Sequence, residues 1–298
     1  MLLGFLAGRK QHGSSSPAHV LRQAQDERGL LPSHGSTSPT SSDSARSRSS
    51  PRAGQKSSLR AGRYERVARA LGRLAIVLFI LAMPVFLVTS NVRMAFDSLR
   101  LYRYGFERYD VVSTTGLDME QLMTVAREFR DYFHSSQELL DVRVTLGGEE
   151  RALFNQREVL HMRDVKGLVR RVYRLQEVAG AYIAGYVVVA LLATRGRGVR
   201  SLAGRVLVGS VLTVGLLALG GVALLVGFDR LFQVFHILGF PGGNWSFDPR
   251  YNYLTRLFTE GFFMDATLLL ALATVAEALL LALVAWGIRK RMPGSLRR

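Results

Sequence analysis

Four long apolar runs, separated by segments that carry nearly all the charge, leave this chain few ways to fold. They lie in 63–94 (apolar from residue 74), 178–194, 206–227 and 263–288. Each is near the roughly 20 residues that a hydrocarbon core of about 30 Å requires. A chain crossing lipid must satisfy every backbone N–H and C=O internally, so such runs fold as helices. The expected fold class is therefore an all-α membrane protein with four transmembrane helices. Pro84 falls inside the first span, where neighbouring helices can satisfy the carbonyl it frees.

The charges fix an orientation. Residues 1–73 hold 13 Lys/Arg against 4 Asp/Glu, loop 195–205 holds 4 against 0, and tail 289–298 holds 5 against 0. By contrast 95–175 holds 13 of each sign, and 228–262 holds 3 of each. The net charge of +16 is thus confined to alternate segments. That is positive-inside topology rather than a nucleic-acid footprint. It places both termini and loop 195–205 in the cytoplasm, with 95–177 and 228–262 outside. No nucleic-acid partner is expected. Residues 1–62, rich in Ser, Arg, Gly and Pro, bury too little apolar surface to order and read as a disordered cytoplasmic tail. The opening Met1-Leu-Leu-Gly-Phe-Leu-Ala is too short and wrongly flanked for a signal peptide. There is no cysteine, which removes disulfides, thiol nucleophiles and zinc thiolates from consideration.

The outer segment 95–177 is too long for a simple loop and is expected to be mainly helical. Asp118-Met-Glu-Gln121 is a capping-box signal, followed by Leu122, Val125, Phe129 and Phe133 at helical spacing, so 119–134 should be an amphipathic helix. Val142, Val144 and Leu146 alternate with polar residues before Gly147-Gly148, the pattern of a small hairpin. Asn155 with Glu158 starts a further helix, which leads into the second span. If that helix ran straight, His161 would stand about 25 Å above the start of the span. An interfacial site then calls for a bend, with Gly167 the favoured place.

Imidazole, carboxylate and indole gather at the outer boundary. His161 and Asp164 are three apart and share a helix face, so the carboxylate can fix the imidazole tautomer and raise its basicity. Glu158 is an alternative partner. His236 follows the third span, and the turn Gly242, Gly243, Asn244 and Trp245 lies just beyond it. Glycines there let backbone N–H groups approach a ligand or a developing oxyanion. Trp245 also suits a membrane anchor. Glu260 and Asp265 flank the outer end of the fourth span. Arg93 is placed to snorkel, His134 ends the amphipathic helix in solvent, and Glu277 falls near mid-membrane with no partner evident from sequence. No nucleophile elbow, P-loop or H-E-x-x-H motif is present, and no cofactor or metal is expected.

Two stretches carry a family resemblance. Phe154-Asn155-x-Arg157-Glu158-x-x-His161-Met162-x-Asp164-Val165-Lys166 and Phe235-His236-x-x-x-Phe240-Pro241-x-x-x-Trp245-x-Phe247-Asp248-Pro249 resemble the bacterial Lit family of lipoprotein intramolecular transacylases. The resemblance covers roughly 65–292, four-span layout included. It implies acyl migration from the sn-2 oxygen of a diacylglyceryl-modified amino-terminal cysteine to its own α-amino group, giving the lyso-form lipoprotein. Diacylated lipoproteins and membrane lipid are the implied partners. His161 and His236 fall on the family's motif histidines, with Asp164 beside them. Their expected roles are His161 as base oriented by Asp164, and His236 with the 242–244 turn serving the leaving oxygen or oxyanion. Glu158 and Trp245 complete the expected substrate contacts. The long tail and Gly242-Gly243 depart from the family pattern. A non-catalytic membrane module and a metal-dependent hydrolase are the competing readings.

Overall fold

A computed structural model describes residues 52–292, and everything below except Arg52 and Ala53 lies in the unit that begins at Gly54. The tail expected over 1–62 falls outside the described residues up to 51. Helix α1 (Arg52–Asp97) already begins within its last eleven positions and continues through Pro84. Four helices are long and apolar enough to cross a membrane: α1, α5 (Gln156–Ala193), α6 (Val199–Val226) and α9 (Glu260–Arg291). They coincide with the four apolar runs. The second run is only the lower half of α5, which is helical without interruption through Gly167.

Between α1 and α5 the chain folds into α2 (Leu99–Arg108), α3 (Val111–Thr115), α4 (Met119–His134), β1 (Arg143–Leu146) and β2 (Glu149–Ala152). Helix α4 opens on a capping box in which Asp118 accepts from the Gln121 N–H and the Gln121 side chain accepts from the Asp118 N–H. The strands pair antiparallel, with Leu146 opposite Glu149. Gly147 and Gly148 both take positive φ, as a two-residue turn matching the right-handed twist of a hairpin demands. Helix α5 opens on a second capping box, Asn155 with Glu158.

A core beside the spans is built where these elements meet. Phe106, Leu122, Val125, Phe129 and Leu257 are essentially removed from solvent, and Phe154, Met162 and Val169 join them from the start of α5. Lys166 on α5 is also buried; its ammonium donates to the Gln137 carbonyl at 2.6 Å and lies 3.8 Å from the Tyr132 ring. Arg170 donates to the Ser135 carbonyl. Two cations of α5 thus hold the carboxyl end of α4, where the helix dipole is negative. His134, expected in solvent, pairs with Asp97 at 2.6 Å.

Cross-links set the relative heights of the spans. Arg93, expected to snorkel, donates to Gln176 and Glu177 and covers the Tyr173 ring. Gln176 donates to Ser90. Glu277 gains the partner that sequence did not supply: Asn91 donates to its carboxylate at 2.8 Å. After α6, Gly227 adopts φ 134° and redirects the chain into α7 (Phe228–Gly239). A loop and the short α8 (Tyr253–Leu257) lead to α9.

Candidate active site at one end of the bundle

His161 lies in the second turn of α5, and α7 carries His236 to it. Gly239, at the end of α7, passes Leu168 of α5 at a distance that would leave a Cβ in ordinary van der Waals contact. The two imidazoles are nearly parallel, inclined by 23°, with centroids 6.4 Å apart. That is too far for a direct hydrogen bond. His161 is 6% exposed and His236 9%. Phe240 touches both rings, at 4.8 Å and 5.6 Å. Phe247 closes the His161 side at 5.4 Å, and Trp245 covers His236 at 5.2 Å. Trp245 therefore faces the pocket, whether or not it also meets lipid.

The two rings are held differently. His236 Nδ1 lies 2.7 Å from the Phe232 carbonyl oxygen. A carbonyl only accepts, so Nδ1 carries the hydrogen and Nε2 is the basic nitrogen. Burial holds this ring's pKa below its ordinary value, and the bond to Phe232 opposes that only in part. His161 Nδ1 is buried with no hydrogen-bond partner. Buried polar atoms are nearly always paired, so an orphan on a ring 6.4 Å from a second imidazole is a place for substrate.

The carboxylates do something else. Asp164 makes no hydrogen bond to His161: its side chain is half-exposed and lies 3.6 Å from the Arg163 guanidinium, so it acts on the imidazole only through its charge, which opposes the lowering of that ring's pKa by burial. Glu158 is 1% exposed, and both its oxygens are occupied: one accepts from the Asn155 N–H at 2.9 Å, the other from the Leu254 N–H at 2.8 Å. It ties the start of α5 to α8, and both oxygens expected to meet substrate are turned to backbone N–H groups instead. Asn155 extends the tie to Asn252, which donates to the Asp248 carbonyl. Asp265 turns away and accepts from Tyr104 and Tyr109.

In the 242–245 turn, Gly243 has φ +70° and its N–H donates to the Phe240 carbonyl. It is therefore committed to the turn and not to an oxyanion. Gly242 is exposed. Asn244 donates to the Arg157 carbonyl, and Arg157 in turn donates to the Ser246 carbonyl and stacks on Phe247. The turn is a lid clamped to the first turn of α5. Phe232, Phe240 and Phe247 were not singled out as pocket walls from sequence, although the aromatic spacing around His236 and Pro241 carried the signal. Among the described residues no cluster of three or more His, Cys, Asp or Glu side chains is arranged to hold a metal ion.

No bend at Gly167 is needed to bring this pocket to the lip of the bundle. Ser90 with Gln176, and Asn91 with Glu277, bring α5 and α9 to one level. Fifteen residues separate His161 from Gln176, and fourteen separate Phe263 from Glu277. Each therefore rises by about 21–23 Å. Phe263 meets Phe232 at 5.4 Å, and Phe232 meets His236 at 4.1 Å. Apolar surface climbs to the histidines along α9, and along α7 through Val234, Phe235, Ile237 and Leu238, which are 51–77% exposed.

Comparison with known proteins agrees with this geometry. Residues 77–263 match the family described as lipoprotein intramolecular transacylase Lit. No curated protein sequence matches the chain. Among solved structures, the membrane integral lipoprotein intramolecular transacylase Lit from Bacillus cereus superposes with a TM-score of 0.62 at 16% identity, over 74% of this chain and 98% of that one. A second structure of that protein, carrying a histidine-to-arginine mutation, gives 0.61 at 16% identity, over 77% of this chain and 97% of the other. At that identity the likeness establishes the fold, an integral membrane one, while the sequence match spans well over half of the chain. This multi-pass membrane protein belongs to the Lit family of lipoprotein intramolecular transacylases.

Proposed function

We propose that the chain moves the sn-2 acyl group of a diacylglyceryl-modified lipoprotein onto the α-amino group of its amino-terminal cysteine. The observation that carries this reading is the pair of buried, nearly parallel imidazoles, one locked as a proton acceptor and the other with a free nitrogen. The basic termini and loop 195–205 lie in the cytoplasm, which puts the pocket on the outer face, where processed lipoproteins present their lipid.

In the reaction the amine attacks the ester carbonyl carbon. A new C–N bond forms, the bond from the acyl carbon to the glyceryl oxygen breaks, and one proton passes from nitrogen to oxygen. His236 Nε2 takes that proton from the amine and returns it to the departing glyceryl oxygen. His161 stays neutral: its other ring nitrogen is turned to the Asn244 backbone, so the unpaired Nδ1 accepts a hydrogen bond from the attacking amine and aims it at the ester. His236 thus takes the role of base expected from sequence for His161, because the Phe232 carbonyl fixes the tautomer of His236. Burial suits the division: two imidazolium rings this close in an apolar pocket repel, so the pair holds at most one extra proton.

Direct transfer closes a medium-sized ring through the cysteine side chain and the glyceryl carbons. Such rings close poorly in solution, so immobilising both ends supplies much of the rate. The aromatic walls exclude water, which would otherwise hydrolyse the ester. The apolar faces of α7 and α9 let the acyl chains remain in lipid while the headgroup enters.

Reactant and product have equal mass, so the test is tandem mass spectrometry of amino-terminal lipopeptides from a host that makes diacylated lipoproteins. Expression of this chain should move one acyl group onto the cysteine-containing amino-terminal fragment ion. Lipopeptides that keep both chains on the glyceryl group, with the protein folded in the membrane, would refute the assignment.

A further inference from the structure

A second cavity of about 350 Å³ opens between α2 and α9. Its upper rim carries Arg100, Tyr104 and Asp265, and its floor carries Leu268, Leu269 and Leu272. It is not an extension of the histidine pocket. Phe263 faces Phe232 and hence His236, whereas Asp265 faces Tyr104 and Tyr109. Two residues turn a helix by about 200°, so the cavity lies across α9 from the imidazoles.

The arrangement is graded. Leu268, Leu269 and Leu272 are 41–66% exposed on a helix that spans the membrane, so hydrocarbon covers them. Asp265 stands two turns above Leu272, about 10 Å higher, in the layer where glycerol and headgroup lie. The cavity lining holds one charge of each sign, Arg100 and Asp265, and Arg108 behind it acts on both Asp265 and Tyr104. Among the described residues Arg100 makes no hydrogen bond or ion pair, unlike Arg103, which faces Glu107. The Asp265 carboxylate is oriented by two tyrosine hydroxyls, both on Oδ2, at 2.9 Å and 2.7 Å. Tyr109 is in turn pressed against Gly261, and Gly105 leaves room for the Phe262 ring, so α2 and α9 cannot slide apart without losing both contacts.

We propose that this groove binds a zwitterionic aminophospholipid of the outer leaflet. Arg100 takes the phosphate, Asp265 takes the ammonium through N–H donation, and one acyl chain lies along the three leucines. Guanidinium suits phosphate geometrically. A carboxylate in the same rim disfavours lipids whose only headgroup charge is negative, and an ammonium with three N–H donors satisfies it better than a quaternary one.

The test uses the purified full-length protein, delipidated in detergent, with phosphatidylethanolamine, phosphatidylcholine or phosphatidylglycerol added at equal concentration and read by native mass spectrometry. The one-lipid adduct should be at least threefold more abundant with phosphatidylethanolamine than with either other lipid. R100A and D265N should each lower that adduct by threefold or more, and H161A should leave it unchanged. If D265N unfolds, R100A and R100E at the exposed rim decide the matter alone. Equal adducts for all three lipids, or an adduct indifferent to R100A, would overturn the proposal. A preference for phosphatidylglycerol that survives D265N would assign an anionic lipid instead. Displacement by a phosphate-free diacylglyceryl peptide would give the groove to the lipoprotein substrate.

Discussion

Glu158 and His161 lie one turn apart on α5, are both buried, and solve the burial of a polar group in opposite ways. Glu158 is saturated: its two oxygens accept from the backbone N–H groups of Asn155, just before α5, and Leu254, in α8. His161 leaves Nδ1 unpaired, on a ring whose centroid lies 6.4 Å from that of His236. A buried charge whose hydrogen bonds are complete holds the fold together. A buried nitrogen whose hydrogen bond is missing costs stability, and the fold tolerates that cost where a substrate completes the bond. The contrast separates a structural clamp from a reacting centre within a few residues of the same helix.

The largest effects should fall on the histidines. H161A and H236A are each expected to lower the transacylation rate by about 10²–10⁴-fold, the usual range for proton-transfer groups, with little change in thermal midpoint for H161A. A marked loss of stability in H161A would place it with Glu158 and break the distinction. E158A should do the reverse in kind. Removing two charge-assisted bonds from backbone donors that stay buried is expected to cost about 3 kcal/mol, visible as a lower unfolding midpoint. The folded fraction should turn over at a rate near that of the wild type. K166A should behave like E158A with a smaller cost of about 1–3 kcal/mol, because it releases the Gln137 carbonyl from α5.

The pH dependence sharpens the role of His236. Its pKa is lowered by burial, so the ring stays neutral below the ordinary imidazole value of about 6.5. Activity that needs the neutral base should persist through that value as pH falls, and be lost only when the lower folded pKa is crossed. An acid limb at or above about 6.5 would mean that the titrating base is another group. The smallest effect belongs to Asp164. D164N should change the rate by less than about twofold, since its carboxylate faces Arg163 and solvent and exposed pairs contribute little.

Local pattern made much of this fold legible. The capping boxes at Asp118 and Asn155, the Gly147-Gly148 hairpin and the four spans follow from spacing and hydropathy within a window of a few turns. The two histidines were legible because topology alone sends both flanking segments to one side. Contacts that join distant elements were not. Nothing near Glu158 announces the Leu254 N–H, nothing near Glu277 announces Asn91, and His134 gives no hint of Asp97. Asp164 misled because helical spacing says which residues share a face but not which of two neighbours, His161 or Arg163, a carboxylate turns to. The expected bend at Gly167 failed for a related reason: the height of the site depends on how far α7 and α9 carry apolar surface upward, which α5 does not encode.

The account rests on His161 and His236 acting as one centre. The direct measurement is the rate at which purified wild-type, H161A and H236A proteins, at equal folded concentration in lipid, convert a synthetic diacylglyceryl lipopeptide to the N-acyl isomer. The wild type should accumulate the isomer while both variants remain near background with intact thermal transitions. Wild-type rates in either alanine variant would contradict the account.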